Sequence, residues 1–283
     1  MPKLHVFLGV VSYSGTRFPT SQGPQGLGAL LTNALRDCDV ATELVINTQD
    51  VNPEDLPITV DQAATQRSLT AELRAESRYS TFIARPDRVK NTLRIGARWA
   101  QRLRHVVDKP GTNRIARLLN IEASHFDLLR KGLESKAKWI VIVEDDAVAT
   151  DCGDLAQGLA HLFASDPAPA FINLSESFSL SQLGVTHLLT PSTESAWEGT
   201  DSRTVFTAGR PITNTVCAIA YSREFVQRLL PELESMPVDP VLSIDWKLNV
   251  ALMNLYEKDP DPQRNLACWW VEPAPITQMS MHA

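Results

Sequence analysis

The sequence predicts an α/β fold in which helices cover both faces of a central sheet, giving three layers. Short apolar runs of the buried-strand type alternate with helical patterns along all 283 residues. The chain contains no internal repeat, no low-complexity tract and no convincing linker. We therefore expect a single domain that spans residues 1–283.

The first half of the chain alternates strands with longer helical patterns. Residues 4–11 form an apolar run typical of a buried strand, and the polar residues 12–17 are typical of a turn. A Pro-Gly pair at 110–111 breaks the chain, so that Thr112 or Asn113 can cap the next helix. The predicted strands are 4–11 and 43–47, and the predicted helices are 25–37, 61–79, 86–107 and 112–134.

The second half contains shorter strands and two helices with clear N-terminal signals. Residues 138–143 are apolar and β-branched, as in a buried strand, and they end abruptly in three acidic residues. Ser222 and Ser243 each precede a helical pattern and are predicted N-caps. The predicted strands are 138–143, 170–174, 187–190, 213–221 and 266–271, the predicted helices are 153–165, 222–234 and 244–256, and 191–203 is a predicted loop.

Positive charge is concentrated in residues 74–117, which we call the basic segment. It contains twelve Lys or Arg and three acidic residues, which gives a charge of +9. Because the net charge of the whole chain is −6, the remaining residues carry −15. We interpret its arginines as a solvated helix face and keep peripheral contact with an anionic membrane as the alternative. No nucleic-acid motif accompanies them. At 100° per residue, the arginines at 94, 98 and 102 lie opposite an apolar stripe of Val89, Leu93, Gly96, Ala100, Leu103 and Val107.

The composition is that of a soluble globular protein, with 43% hydrophobic and 21% charged residues. No apolar run reaches the roughly 20 residues of a membrane-spanning helix. The chain enters an apolar run at Leu4 without the cleavage site of a signal peptide, and we expect a cytoplasmic location. Four cysteines have neither metal-binding nor disulfide spacing and are interpreted as buried thiols: Cys38, Cys152, Cys217 and Cys268.

Three acidic residues, Glu144, Asp145 and Asp146, directly follow the apolar run 139–143. Adjacent carboxylates raise one another's pKa and cost stability unless a cation or a set of donors lies between them. In open α/β sheets, ligands bind beyond the carboxyl ends of strands. Mg²⁺ and Mn²⁺ take few protein oxygens and fill their other positions with water and phosphates. The acidic run is therefore a candidate metal–diphosphate site, and a solvated turn is the alternative.

Two other classes of protein place acidic residues at strand ends, and both fit this chain poorly. Response-regulator receiver domains need an acceptor Asp after a later strand, but none follows an apolar run between Asp151 and Pro191. Moreover, 138 residues already precede the acidic strand. Haloacid-dehalogenase phosphatases place two Asp residues two positions apart, whereas Ala147 stands two positions after Asp145.

Several segments resemble a known family in their order. A helix carrying Ser124-His125 is followed by a short spacer and by an apolar strand that ends in Glu-Asp-Asp-Ala at 144–147. Segments 215–222, 243–249 and 273–280 follow, the last with the pattern Pro-x-x-Gln-x-Ser. Together they resemble glycosyltransferase family 25, which includes lipopolysaccharide-modifying and collagen galactosyltransferases. The resemblance covers roughly residues 112–175 and 213–280, and departs where the family has Gly-Cys just before its Ser-His.

This resemblance implies a GT-A-type domain with a mixed, mostly parallel sheet. Residues 1–147 would form the nucleotide-sugar donor half and residues 148–283 the acceptor half. The implied reaction moves a sugar from a nucleotide sugar, expected to be a UDP-sugar, to a hydroxyl of a glycan, glycolipid or small-molecule acceptor, with inversion. The implied cofactor is Mn²⁺ or Mg²⁺.

The resemblance also assigns roles to acidic residues. Asp146 is the expected metal ligand, and Glu144 and Asp145 are expected to contact the nucleotide ribose or metal-bound water. Asp245 is the expected catalytic base, and a helix acid favoured by the helix dipole is the alternative. His282 is a candidate metal ligand, because a C-terminal His binds the metal in several GT-A enzymes.

A tyrosine and three arginines supply the remaining contacts to the nucleotide-sugar donor that the resemblance implies. Tyr13 and Arg17 follow the first strand, where GT-A enzymes contact the base and phosphates, and a solvated turn arginine is the alternative. Arg114 and Arg117 lie one helical turn apart and can reach the diphosphate.

Histidine and aromatic residues complete the candidate set. Ser124 and His125 are expected to be structural, with the imidazole buried beneath the site. Trp197 and one member of the pair Trp269-Trp270 are candidates for stacking on sugars, the other member being core. Two functions without catalysis stay open: binding of a nucleotide or glycan on the same fold, and docking through the basic segment.

Overall fold

The computed structural model describes residues 4–12, 25–47, 62–84, 112–176, 179–193, 195–213, 215–236 and 242–279, with the isolated residues 92, 93, 96, 97 and 100. Within 62–70 and 112–117 the description is limited to the helical backbone.

Strands and helices are interspersed along the described chain, but strict alternation, which the sequence predicts, is not kept: several strands follow one another, and the last three helices are consecutive. The strands are β1 (His5–Val11), β2 (Ala41–Asn47), β3 (Trp139–Glu144), β4 (Ala147–Ala149), β5 (Phe171–Asn173), β6 (Ser175–Glu176), β7 (Leu189–Pro191), β8 (Thr204–Ala208), β9 (Ala218–Ser222), β10 (Cys268–Glu272) and β11 (Ile276–Gln278). The helices are α1 (Leu27–Asp37), α2 (Gln62–Phe82), α3 (Thr112–Glu134), α4 (Cys152–Phe163), α5 (Leu180–Leu183), α6 (Arg223–Glu234), α7 (Ile244–Lys258) and α8 (Pro262–Asn265), and Thr186–Leu188 is a 3₁₀ turn.

The large sheet contains eight described strands in the order β2-β1-β3-β9-β5-β10-β8-β7. Three of its neighbouring pairs are parallel, β1 with β2, β1 with β3 and β5 with β10, and the other four are antiparallel. Only β8 and β9 oppose the direction of the rest. The prediction of an α/β fold with a mixed sheet is therefore confirmed. The expectation of a mostly parallel sheet is wrong for the strand pairing, because four of the seven described neighbouring pairs are antiparallel.

Both faces of this sheet are apolar, because successive side chains of a strand point to opposite faces. In β3, Ile140 and Ile142 belong to one hydrophobic cluster, and Trp139, Val141 and Val143 belong to a second. Helices α2, α3, α6 and α7 contribute to the first cluster, whereas α1 and α4 contribute to the second. This double burial explains why β3 is apolar without alternation.

Helix α3 lies very close to the sheet, and two glycines make this approach possible. A Cβ atom on Gly132 would come within 2.8 Å of Ile140, and one on Gly9 would come within 2.9 Å of Ile142 and 3.1 Å of Leu128. The close packing brings the side chains of α3 next to the carboxyl end of β3.

A small second sheet, in the order β4-β11-β6, lies beyond the end of β3. Strand β4 begins directly after Asp146 and pairs antiparallel with β11, with Gln278 opposite Ala147. The backbone N–H of Met279 donates to the carbonyl of Asp146 at 2.9 Å. Residues 147 and 278 therefore meet although 131 positions separate them, and the Pro-x-x-Gln-x-Ser segment lies against the acidic run.

Several sequence predictions differ from the structure in detail. The strand predicted at 213–221 begins only at Ala218, since residues 213, 215, 216 and 217 are not part of a strand. Part of the strand predicted at 187–190 is the 3₁₀ turn. Ser222 caps α6 by accepting from Phe225 N, whereas Ser243 occupies the N-cap of α7 without a side-chain hydrogen bond. Strands β4, β6, β8 and β11 are not predicted by the sequence.

The apolar stripe predicted in the basic segment is not buried where the structure describes it. Leu93 is 68% exposed, and Gly96 and Ala100 are exposed as well. The pattern was misleading because amphipathic spacing predicts a buried stripe only when another element packs on it. Arg94, Arg98 and Arg102 lie outside the described residues. None of the described helices is long and apolar enough to cross a membrane.

Candidate functional site

The carboxyl ends of three parallel strands meet at one edge of the large sheet. Val11, the last residue of β1, is paired with Asn47 on one side and with Glu144 on the other. Ser12 follows β1, and its N–H donates to the carbonyl of Asn47 at 3.0 Å. The acidic run therefore lies at the edge where open α/β sheets bind ligands.

Two of the three acidic side chains share one hydrogen-bond donor. The amide nitrogen Nε2 of Gln278 donates to Oε2 of Glu144 at 3.1 Å and to Oδ2 of Asp146 at 3.2 Å. The Glu144 side chain is 14% exposed, and Asp146 is 4% exposed. A single amide nitrogen thus bridges two nearly buried carboxylates.

Asp145 points to the other side of the acidic run. Its Oδ2 accepts a hydrogen bond from the hydroxyl of Ser12 at 3.1 Å. Ser12 is 2% exposed, so this bond fixes Asp145 against the end of β1. The side chain of Asp145 is therefore separated from those of Glu144 and Asp146, which share Gln278 as a donor.

His125 lies under the acidic run, as the sequence predicts for a buried imidazole. It is 3% exposed, and its Nε2 lies 3.5 Å from Oε1 of Glu144. This contact lacks hydrogen-bond geometry, and Nε2 has no other partner among the described residues. A buried ring nitrogen without a partner is costly, which marks the place as one that a further group completes.

The segment before β9 brings two more groups to the same edge. Because β9 runs antiparallel to β3, Cys217 lies beside Glu144, and Glu144 N donates to the Cys217 carbonyl at 2.8 Å. The N–H of Val216 donates to Oδ1 of Asp245 at 2.9 Å. Asp245, in the first turn of α7, is thereby held at the residue that directly precedes Cys217.

Burial and like charges act together on the titratable groups at this edge. Burial raises the pKa of Glu144, the adjacent imidazole of His125 opposes this rise, and the charges of Asp245 and Asp146 add to it. Burial also raises the pKa of the Cys217 thiol well above its usual value, and Glu144, Asp146 and Asp245 reinforce the effect. Excess negative charge at this edge favours a bound cation.

The donor set suits a divalent cation. One ligand atom each from Glu144, Asp146 and Cys217 lie within 4.8 Å of one another. Two carboxylates with a further donor are a usual ligand set for such ions, which complete their coordination with water or phosphate. The position of His125 Nε2, 3.5 Å from Glu144 Oε1, agrees with this, since metal-binding carboxylates are themselves held by neighbouring polar groups.

A buried ion pair holds the two helices that carry His125 and Asp245. Nζ of Lys247 in α7 lies 2.5 Å from Oε1 of Glu122 in α3, with side-chain exposures of 1% and 9%. Glu122 lies three positions before His125, and Lys247 lies two positions after Asp245. The pair therefore fixes both helices behind the site.

Some predicted site residues lie outside the described part of the chain. Tyr13, Arg17 and His282 belong to this group, and so do the side chains of Arg114 and Arg117, whose backbone is part of α3. Their roles stay predictions.

The prediction that tryptophan side chains stack on sugars is wrong. Trp197 is 8% exposed and donates to Asp154 Oδ2 at 3.2 Å, while Trp269 and Trp270 are 1% and 2% exposed. The polar loop that carries Trp197 folds back onto α4, because the buried carboxylate of Asp154 also accepts from the N–H of Asp201 at 2.9 Å. Neither face of these rings is available to a sugar.

Two residues of the site are not predicted by the sequence. Cys217 was interpreted as a buried thiol and is indeed buried, but it lies among carboxylates. Nothing in the sequence predicts a role for Gln278 beyond its place in the Pro-x-x-Gln-x-Ser pattern. The only local signal was the Pro-x-x-Gln-x-Ser pattern itself, since both contacts depend on strand pairing.

No protein-family model and no curated protein sequence matches this chain.

Proposed function

We propose that this chain is a metal-dependent glycosyltransferase of the GT-A type. It moves a sugar from a nucleotide sugar, a UDP-sugar by expectation, to an acceptor hydroxyl with inversion. The observation that carries the proposal is the meeting of Glu144, Asp146 and Asp245 at the carboxyl edge of a mixed sheet. Helices that contribute to clusters on both faces support a three-layer GT-A arrangement.

Glu144 and Asp146 are the residues that would hold the cation, Mn²⁺ or Mg²⁺. When bound, the cation neutralises the diphosphate leaving group as the glycosidic bond breaks. Both carboxylates are oriented by the chain itself, through Gln278 and through strand β3. Asp145, fixed by Ser12 on the other side, faces the ends of β1 and β2, where the nucleoside is expected.

Asp245 supplies the base. Its carboxylate removes the proton of the acceptor hydroxyl, and the oxygen forms a bond to the anomeric carbon. The bond from that carbon to the diphosphate breaks, and its electron pair leaves with the diphosphate. The N–H of Val216 holds Oδ1 of Asp245 and so orients the carboxylate for this proton transfer.

The test of the metal–nucleotide part is thermal unfolding with Mn²⁺ and UDP. The wild type is expected to melt at higher temperature when both are present, because ligands that bind the folded state stabilise it. Asp146→Ala should abolish the shift. Asp261→Ala, which changes an exposed N-cap acid of α8, should retain it. If no nucleoside diphosphate shifts the wild type with either metal, the proposal is wrong.

A protein that binds a nucleotide or glycan without catalysis is the alternative. The position of Asp245 beside the acidic site favours the enzyme. Slow release of free sugar and UDP from a panel of UDP-sugars, with Mn²⁺ and without an acceptor, distinguishes the two. Binding of UDP without any hydrolysis or transfer would support the alternative.

A further inference from the structure

The geometry points to Cys217 as a sulfur ligand of the cation, which makes the site a mixed oxygen–sulfur centre. The inference rests on the metal site of the proposed function and goes beyond it, because carboxylates alone would bind Mg²⁺ and Mn²⁺ as hard cations. A thiolate in the ligand set favours Co²⁺, Zn²⁺ and Cd²⁺ over Mg²⁺.

The distances fit a shared ion. The sulfur of Cys217 and one carboxylate oxygen each from Glu144 and Asp146 lie within 4.8 Å of one another. With metal–sulfur bonds of about 2.3 Å and metal–oxygen bonds of about 2.1 Å, ligand atoms at tetrahedral angles are about 3.6 Å apart. The atoms therefore need to approach by up to about 1 Å, which rotation of the side chains can supply.

Antiparallel pairing fixes the sulfur at this place. The bond from Glu144 N to the Cys217 carbonyl, at 2.8 Å, continues the ladder between β3 and β9. Glu144 is the last residue of β3 and Cys217 directly precedes β9, so the hydrogen bond between them positions the backbone of both residues. A rigid backbone is what a preformed metal site requires.

His125 gives independent support, because its ring nitrogen is aimed at the same group of side chains. Nε2 is buried, lies 3.5 Å from Glu144 Oε1 and has no hydrogen-bond partner among the described residues. A shift of Glu144 toward a cation changes this contact, and the imidazole then holds the carboxylate from behind. The orphaned nitrogen thus indicates a site that is completed by binding.

The second buried thiol of the chain shows the contrast. Cys268 is as buried as Cys217, and burial raises its pKa to about 12. Its sulfur lies 3.5 Å from the carbonyl oxygen of Ile212 and 3.7 Å from Nδ2 of Asn173, and no carboxylate affects it. The sulfur of Cys217 instead lies within 4.8 Å of a carboxylate oxygen of Glu144 and of one of Asp146.

The binding step balances as an exchange of a proton for the cation. The S–H bond of Cys217 breaks, a sulfur–metal bond forms, and the proton leaves to solvent. No oxidant or reductant takes part.

The test uses Co²⁺ and Cd²⁺ as probes on the full chain, in a Cys38→Ser/Cys152→Ser background. This background is needed because both thiols are partly exposed and can bind Cd²⁺ themselves. A sulfur ligand produces a thiolate-to-metal charge-transfer band in the ultraviolet. We expect the band to appear with one equivalent of metal and to be lost in Cys217→Ser and Cys217→Ala. The matched control, Cys268→Ser, should keep it.

Asp146→Ala keeps Cys217 and removes an oxygen ligand, so it should weaken the band even if the Cys217 variants fail to fold. In folded Cys217→Ser, Cd²⁺ affinity should fall at least about 10-fold while Mg²⁺ affinity stays unchanged. A wild type without the band, or a band that survives in Cys217→Ser, overturns the inference. If the UDP–Mn²⁺ stabilisation persists in that case, the proposed function stands; if the band appears without any effect of UDP, the metal site stands and the transferase proposal falls.

Discussion

Gln278 donates a hydrogen bond from Nε2 to Oε2 of Glu144 at 3.1 Å, across 134 positions of the chain. The same nitrogen reaches Asp146, so one neutral amide separates two carboxylates that would otherwise repel each other. By donating to both carboxylates, the amide partly compensates their negative charges. This relationship makes the stability of the chain depend on Gln278 when no cation is bound.

The first prediction is that Gln278→Leu destabilises the metal-free protein. Loss of the amide leaves two nearly buried carboxylates without their shared donor, at a cost of about 1–3 kcal/mol in the free energy of unfolding. Urea unfolding measures the change. Thr277→Val, on the exposed neighbour in β11, should change stability by less than about 0.5 kcal/mol.

Addition of Mn²⁺ should narrow the difference between wild type and Gln278→Leu, because the cation then separates the charges. Equal stability of the two proteins without metal would show that the amide has no such role.

The second prediction concerns Asp245 as the base. Asp245→Asn should lower the turnover number for sugar transfer by about 10²- to 10⁴-fold, the usual contribution of a positioned general base. Binding of UDP and Mn²⁺, measured by calorimetry, should be unchanged. Glu224→Gln is the matched control, because Glu224 is an exposed acid in the first turn of α6. If both variants have similar activities, Asp245 is not the base and acts only as an acidic residue in the first turn of the helix.

The sequence predicts most of the elements around this site because their signals are local. The run from Trp139 to Val143 is apolar on both faces, which identifies a buried strand without knowledge of its neighbours. Ser222 precedes an amphipathic helix and caps it as expected. The position of the acidic run at the carboxyl end of β3 is also predicted, because the run directly follows the apolar residues in the sequence.

The partners of the acidic run are not local and therefore escaped prediction. Strand β11 contains only three residues, too few for a periodic pattern, and Gln278 reaches Glu144 only through its pairing with β4. Cys217 lies beside Glu144 through the antiparallel register of β9. Trp197 was misjudged because nothing in its polar loop indicates that Asp154 binds it.

The third prediction is a pH dependence of stability that originates at Glu272. Burial raises its pKa from 4.5 to about 7, and the charge of Glu176 adds to the effect. The folded state thus favours the neutral form, so this contribution to stability is complete below about pH 4.5 and is lost as the pH rises through about 7. Glu272→Gln should raise the melting temperature at pH 8 and leave it nearly unchanged at pH 5.

Glu176→Gln should act in the same direction but less strongly, because it removes only the like charge. Glu224→Gln, at an exposed position, should have no effect in this window. A melting temperature of Glu272→Gln that follows the wild type at every pH would contradict the assignment.

The fourth prediction concerns the buried ion pair behind the site. Lys247→Met leaves the carboxylate of Glu122 buried without its cation and should cost about 3–5 kcal/mol of stability. The double variant Glu122→Leu/Lys247→Met should recover much of this loss. Lys258→Met, which breaks the pair with Glu232 but is 66% exposed on the lysine side, should cost less than about 1 kcal/mol. A full loss in the double variant would mean that the pair itself is essential.

The fifth prediction tests the close approach of α3 to the sheet. Gly132→Ala places a Cβ within 2.8 Å of the branched side chain of Ile140, which is fully buried. Overpacking should cost about 1–3 kcal/mol and move His125 away from Glu144. Gly96→Ala is the matched control: its Cβ meets nothing within 4 Å, so the substitution should be neutral or stabilise the chain by up to about 1 kcal/mol. Urea unfolding gives both free energies, and a Gly132→Ala protein as stable as the wild type would show that α3 can shift without cost.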